Sequence, residues 1–281
     1  MNKTFLRVAG TIALLVAIYY LLQVVLLTAS MAVAALVCDI PHESIGQIND
    51  AQFLKDNPAV EACVVNARAV GLFLSALVML LFLHFTGFYR LRVGLVRSIA
   101  PRPLLLSTLL VFTSMFALNI FVQWFPLENN LTDLFVGLSN NPLGIVSLAF
   151  LGPLLEEVLF RGAIQGVLMR FFGRPWPAII VAALVFGIFH MNPVQIVYAT
   201  LLGIVLGWIY YRTGSLMSVI VGHVLNNSLA VVTTAAFSSV EEQAVAESPA
   251  GIAGFALFAV LSVFLAVKLN KEMQEKLKGE N

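Results

Sequence analysis

Apolar stretches of about 18 or more residues recur along the whole chain, and each is long enough to cross a hydrocarbon core roughly 30 Å thick. Of the 281 residues, 60% are hydrophobic and only 11% are charged. A soluble domain of ordinary composition carries roughly twice that share of charge. The sequence therefore predicts an all-α, polytopic membrane helix bundle, and we interpret residues 1–281 as a single membrane domain.

The limits of the apolar stretches predict eight transmembrane helices. The predicted spans are 6–37, 60–88, 103–125, 143–172, 176–191, 193–212, 215–236 and 251–268. The first apolar run is too long for a typical signal peptide, so we predict that it is a retained helix rather than a cleaved leader.

The distribution of charge predicts that both termini are cytoplasmic. With that orientation the cytoplasmic segments hold 13 of the 16 Lys and Arg residues, while the opposite loops hold Lys55 and ten of the 15 acids. Positive residues favour the cytoplasmic side, so every loop agrees with an even number of spans. A net charge of +1 and the lack of a basic block give no indication of nucleic acid binding.

Two cysteines, Cys38 and Cys63, fall in the first external loop. A disulfide between them would close a loop of about 25 residues and contribute roughly 3 kcal/mol. Two unpaired cysteines are an equally good interpretation, because the sequence does not identify the compartment. Neither cysteine lies in a zinc-binding pattern.

The stretch "LLEEVLFRG" places three charged side chains inside the predicted fourth span. An ionisable group at the centre of a bilayer costs about 2.5–3.5 kcal/mol on insertion scales, and such groups commonly mark function. Glu157 and Arg161 are four residues apart, in the favourable acid-before-base order, so they are predicted to pair on one helix face. Glu156 is rotated by about 100° from Glu157 and is predicted to be a separate, available carboxylate. A purely structural packing network is the alternative.

Two further spans carry polar residues at helical spacing. "FGIFH" places Phe186 and His190 four residues apart, and "GHVLNN" does the same for His223 and Asn227. Counted at 1.5 Å per residue from the cytoplasmic ends, Glu156 and these three polar residues lie roughly 12–24 Å deep. The four side chains can therefore meet in one layer.

This set of side chains suits the hydrolysis of an amide. Glu156 with His190 is predicted to deprotonate water, and His223 with Asn227 to donate hydrogen bonds to the developing oxyanion. No serine or cysteine lies beside a base, which disfavours a covalent nucleophile. The alternative is a zinc site made of two histidines and a glutamate, but HExxH is absent and the ligands would come from three helices. We therefore predict neither a metal nor a cofactor.

The segments "EEVLFRG", "FGIFH" and "HVLNN" resemble, in order and spacing, the EExxxR, FxxxH and HxxxN motifs of the CPBP (Abi) family. That family contains type II CAAX prenyl endopeptidases and bacterial proteins linked to bacteriocin processing or immunity. The resemblance implies an intramembrane glutamate-type endopeptidase with eight helices, whose motif-bearing core covers about residues 143–236.

The resemblance also implies a role for each motif residue. It makes Glu156 the water-activating carboxylate, supported by Glu157 and Arg161. His190 becomes the partner of Glu156 in activating water. The third motif supplies His223 and Asn227 as the pair that binds the oxyanion.

The expected partners are the lipid bilayer and a hydrophobic peptide or membrane-associated protein. A bacterial cytoplasmic membrane is the expected location, and there a pheromone, a bacteriocin leader or a membrane protein segment is a more plausible substrate than a prenylated protein. The alternatives are an immunity or scaffold protein without protease activity, and a transporter that uses the carboxylates as a proton relay. The absence of evident inverted repeats counts against the transporter.

Overall fold

The computed structural model describes residues 3–40, 42–88, 99–236 and 242–279, and this part of the chain is helical and contains no strand. Eight apolar helices account for most of it. They are α1 (Lys3–Val37), α2 (Pro58–Phe85), α3 (Pro101–Gln123), α4 (Pro142–Phe172), α5 (Pro175–Phe189), α6 (Pro193–Thr213), α7 (Met217–Ala236) and α8 (Pro249–Gly279). Short helices at His42–Gln47, Ala51–Asp56, Thr132–Ser139 and Glu242–Glu247 lie in the connections. The predicted all-α polytopic bundle is confirmed.

Proline and glycine set many of the helix limits. Six of the eight helices begin with proline, whose missing N–H costs nothing in the first turn. The helices α4 and α6 each end at a glycine with positive φ, 61° at Gly173 and 63° at Gly214. Glycine adopts this left-handed conformation without steric cost, so it stops a helix cleanly.

Seven of the eight helices are long and apolar enough to cross a membrane, and the exception among the described residues is α5. It has 15 residues and therefore rises only about 22 Å, less than the roughly 30 Å of a hydrocarbon core. The chain leaves the helical path after Phe189 because Asn192 and Pro193 cap and begin α6. The predicted span 176–191 corresponds to this helix within two residues, and His190 follows its last residue.

The other difference lies at the C-terminal end, where α8 continues well beyond the predicted limit at residue 268. The extension is rich in Lys and Glu, which favour helix, and Lys271 pairs with Glu275 one turn later. Three of the predicted cytoplasmic cations, Arg90, Arg92 and Arg97, lie outside the described residues. The cytoplasmic orientation of the termini stays a prediction.

The centre of the bundle is α4, and its segment Glu157–Gln165 is buried on almost every side. By contrast, most of α1 and α8 is exposed apolar surface suited to lipid. Two parts of α4, Ser147–Leu151 and Glu157–Gln165, have π-helical hydrogen bonds. Such turns are rare and occur frequently at functional sites. The first of them ends just before Pro153, which has no N–H to donate.

Cys38 and Cys63 form a disulfide that joins the end of α1 to the start of α2, which decides between the two interpretations of these residues.

We expect the Cys38→Ser/Cys63→Ser variant to lose about 3 kcal/mol of unfolding free energy, because the bridge closes a 25-residue separation. Denaturant unfolding in detergent micelles measures this loss. The reductant dithiothreitol should destabilise the wild-type protein by a similar amount and leave the variant unchanged; an equal effect on both would contradict the assignment.

Candidate active site

The predicted pair Glu157 and Arg161 is present at the centre of α4. Arg161 Nη1 lies 2.9 Å from Glu157 Oε1, and the side chains are only 2% and 0% exposed. The guanidinium also lies over the Phe186 ring, 4.4 Å from its centroid, which is a favourable cation–π geometry. Two buried charges are thus held by each other and by an aromatic face.

Side chains of α4 also anchor it to the backbone of α6. Arg161 Nη2 donates to the Gly203 carbonyl at 3.3 Å, and one turn later Gln165 Nε2 donates to the Gly207 carbonyl at 2.9 Å. A Cβ at Gly207 would stand 2.9 Å from Gln165 Oε1, closer than real contacts allow. Small residues four apart let membrane helices approach closely, and here they bring carbonyls within reach of Arg161 and Gln165.

His223 contacts both glutamates. Its Nδ1 lies 2.6 Å from Glu157 Oε1 and its Nε2 lies 3.5 Å from Glu156 Oε2. A carboxylate can only accept, so Nδ1 carries the proton and donates to Glu157. The remaining nitrogen, Nε2, then faces Glu156. The sequence does not predict this contact. Helical spacing places His223 and Asn227 on one face of α7, but it does not determine how α7 is rotated against α4.

Glu156 is the more accessible of the two carboxylates, with 16% of its side chain exposed against 0% for Glu157. The two therefore differ as the sequence predicts. Glu157 contacts Arg161 and His223, whereas Glu156 contacts His223 and stays partly exposed. Chemically, Glu157 is suited to orienting an imidazole and Glu156 to accepting a proton.

His190 lies at the end of α5, where its Nδ1 is 2.9 Å from the Phe186 carbonyl oxygen. A carbonyl only accepts, so Nδ1 donates and Nε2 is left as an acceptor in the neutral ring. The Phe186 ring makes edge contacts to both imidazoles, with centroids 4.9 Å from His190 and 6.1 Å from His223. Among the described residues no hydrogen bond joins His190 to Glu156, so these two can cooperate only through a bound water or substrate.

The turn that carries His190 is strained and firmly held. Met191 has φ of 49°, which is uncommon for a residue other than glycine, and 71% of it is exposed. The next residue, Asn192, is buried, caps α6 through the Gln195 N–H, and donates to Asn129 Oδ1 at 3.0 Å. Strained backbone persists where its surroundings enforce it, commonly at functional sites.

Asn227 is anchored to α4 by a hydrogen bond of 3.1 Å from its Nδ2 to the Leu148 carbonyl. That carbonyl lies in the first π-helical turn of α4, where the N–H of Gly152 donates to Ser147. The following residue, Pro153, has no N–H to donate. The Leu148 carbonyl therefore receives no hydrogen bond from the N–H of residue 152 or 153, and the Asn227 amide donates to it instead. The second amide proton of Asn227 has no part in this bond and can be donated elsewhere.

Helix α1 contributes residues that sequence patterns did not single out. The Tyr20 hydroxyl donates to the Phe189 carbonyl, and the Tyr19 ring packs 4.9 Å from the Phe189 ring. Tyr19 is also close enough to Glu156 to interact with it electrostatically. Tyrosine within an apolar helix is too common to indicate a site, so only the packing of α1 against α5 reveals these residues.

No group of three or more His, Cys, Asp or Glu side chains is arranged to hold a metal ion within the described ranges. The nitrogens of His223 face the two carboxylates rather than a shared open position. Within the described residues, the two histidines and the glutamate of the zinc alternative therefore do not form such a group.

Comparison with known sequences identifies the motif-bearing region. A sequence model of the family described as "Type II CAAX prenyl endopeptidase Rce1-like" matches residues 138–229. This region is similar to that family. The region contains α4, α5, α6 and the part of α7 up to residue 229, and all six predicted site residues lie within it. The match confirms the resemblance seen in the three motifs.

A relative from Bacillus subtilis (strain 168) matches part of the same chain. It carries the name "Putative membrane peptidase YdiL" and is 30% identical over 95 residues. The alignment covers 32% of this chain and 37% of the relative, so the match spans little more than a third of the relative's length. No solved structure matches the chain. Its apolar helices, together with the similarity of residues 138–229 to a family of membrane peptidases, make the protein an integral, multi-pass membrane protein.

Proposed function

We propose that the protein is an intramembrane endopeptidase that hydrolyses a peptide bond of a hydrophobic or membrane-associated peptide with water activated by glutamate and histidine. The observation that carries this proposal is the buried contact of His223 with both Glu156 and Glu157, inside an Rce1-like region. A packing network alone would not need a second carboxylate that stays partly exposed.

In this mechanism Glu156 is the general base. Its carboxylate accepts a proton from a bound water, and the resulting hydroxide attacks the carbonyl carbon of the scissile bond. When the carbon–nitrogen bond breaks, the proton passes from Glu156 to the leaving amine. The acceptor Nε2 of His190 helps to hold and polarise the same water, which follows from its fixed Nδ1 donation to Phe186.

Glu157 and Arg161 position the reacting groups. Glu157 accepts the Nδ1 proton of His223 and so fixes both the ring orientation and the proton location, as the acidic member of a catalytic triad does for its histidine. Arg161 compensates the buried charge of Glu157.

His223 and Asn227 stabilise the oxyanion of the tetrahedral intermediate. His223 contributes Nε2–H when both ring nitrogens carry protons, and the contact of Nδ1 with Glu157 holds the ring in place. Asn227 contributes its second amide proton, and its bond to Leu148 holds the group in place. Each such donor is worth about 3–4 kcal/mol of transition-state stabilisation in known cases.

The substrate class follows from the surroundings of the site. Its walls are apolar helices and aromatic rings, including Phe186 and Phe189, which favour hydrophobic segments. The membrane peptidase name of the Bacillus subtilis relative supports a bacterial cytoplasmic membrane as the location. Pheromones, bacteriocin leaders and membrane protein segments then fit better than a prenylated protein.

The test compares membrane and secreted peptides from cells that produce the intact protein, Glu156→Ala or Glu275→Ala. Glu275 is an exposed acid on α8 and serves as the matched control. We expect specific cleavage products to disappear with Glu156→Ala and to persist with Glu275→Ala. Peptide mass spectrometry measures both.

Two results would contradict the proposal. Full biological activity of folded Glu156→Ala and His190→Ala variants would show that hydrolysis is not needed and would favour an immunity or scaffold role. Activity that is lost to a chelator and restored by zinc would replace the glutamate mechanism with a metal-dependent one.

A further inference from the structure

A chain of hydrogen bonds runs from α6 through α7 to α4. The Tyr198 hydroxyl donates to Asn226 Oδ1 at 2.6 Å, and Asn226 Nδ2 donates to Asn227 Oδ1 at 2.9 Å. The chain ends at the bond from Asn227 to the Leu148 carbonyl. Of these residues only Asn227 belongs to the EExxxR, FxxxH and HxxxN motifs.

The direction of every bond in this chain is fixed by its last member. The Leu148 carbonyl can only accept, so Asn227 must turn its Nδ2 towards Leu148 and its Oδ1 towards Asn226. Asn226 must then present its Nδ2 to Asn227 and its Oδ1 to Tyr198. The tyrosine hydroxyl completes the chain because it is the member that can donate to that oxygen.

Without the hydroxyl, the orientation of Asn226 would lose its support. Asn226 is only 8% exposed, so its Oδ1 would have little access to water and would favour a rotated amide. A rotated Asn226 would turn an oxygen towards the oxygen of Asn227. That repulsion would displace the Asn227 amide from its bond to the Leu148 carbonyl.

We propose that Tyr198, acting through Asn226, is a positioning residue that holds the Asn227 amide in the orientation needed to donate to the oxyanion. This inference rests on the proposed function. It adds a side chain from α6 to the motif residues, which lie on α4, α5 and α7.

The experiment uses full-length protein in detergent micelles. Its probe is a synthetic, internally quenched copy of a peptide whose cleavage depends on Glu156. We expect Tyr198→Phe to lower kcat about tenfold with KM changed less than twofold, because an oxyanion contact acts in the transition state. The control Tyr211→Phe removes a hydroxyl from the same helix at a residue that is 40% exposed, and it should leave kcat unchanged.

A double-mutant cycle separates positioning from general stability. In an Asn227→Ala background, Tyr198→Phe should have no further effect on kcat, since the group that it positions is gone. Asn226→Ala should match the loss of Tyr198→Phe, and combining these two should be no worse than Asn226→Ala alone. Melting temperatures of all variants establish that they are folded.

The outcomes distinguish failure of the positioning role of Tyr198 from failure of the proposed function. Unchanged kcat in Tyr198→Phe, or a full multiplicative loss in the Asn227→Ala background, would overturn the positioning role alone. Absence of any cleavage that depends on Glu156 would overturn the proposed function and this inference together.

Discussion

Replacing His223 with glutamine is expected to slow peptide hydrolysis by about three orders of magnitude. His223 contacts Glu156 and Glu157 at once, so its loss removes the neighbour of the general base and one oxyanion donor together. Glutamine keeps a side chain that can hydrogen bond to Glu157, which protects the fold. The value of kcat/KM for the quenched peptide, with melting temperature as a check on folding, measures the effect.

His84→Gln is the matched control for this prediction. His84 lies in the last turn of α2, where its ring packs against Phe85, outside the site. The same substitution there should leave kcat/KM within about twofold of the wild-type value. If folded His223→Gln retained more than about a tenth of the wild-type rate, the contact with both glutamates would have no catalytic importance.

The fold was predictable because membrane helices are determined by length and apolar character. Each of the eight predicted spans corresponds to an apolar helix, since no backbone N–H or C=O can stay unpaired in hydrocarbon. The limits of α5 were predictable as well, to within two residues, because the cap at Asn192 and the proline after it mark where the next helix begins.

The site was predictable only where contacts are local. Glu157 and Arg161 pair because residues four apart share a helix face, whatever the rest of the bundle does. The contact of His223 with the glutamates depends on how α7 is rotated against α4, which helical spacing does not determine. For the same reason, Tyr19 on α1 and Tyr198 on α6 could not be recognised as neighbours of the motif residues.

The ion pair in α4 leads to the largest expected change in stability. Arg161→Met should lower the unfolding free energy by about 3–5 kcal/mol, because it leaves Glu157 charged and 0% exposed without its cation. Arg102→Met is the control: Arg102 pairs with Glu272 at 3.1 Å but is 74% exposed, so its loss should cost less than about 1 kcal/mol. Denaturant unfolding in micelles compares the two, and equal losses would contradict the expected penalty.

A double substitution then shows why a charged pair occupies this position. Glu157→Leu with Arg161→Met removes both charges, and apolar replacements of a buried pair are often neutral or stabilising, so most of the lost stability should return. Hydrolysis should not return, because His223 no longer has a carboxylate to accept its Nδ1 proton. Recovery of stability without activity would mean that the pair is retained to orient His223. Recovery of both would leave Glu157 and Arg161 without a role in the chemistry.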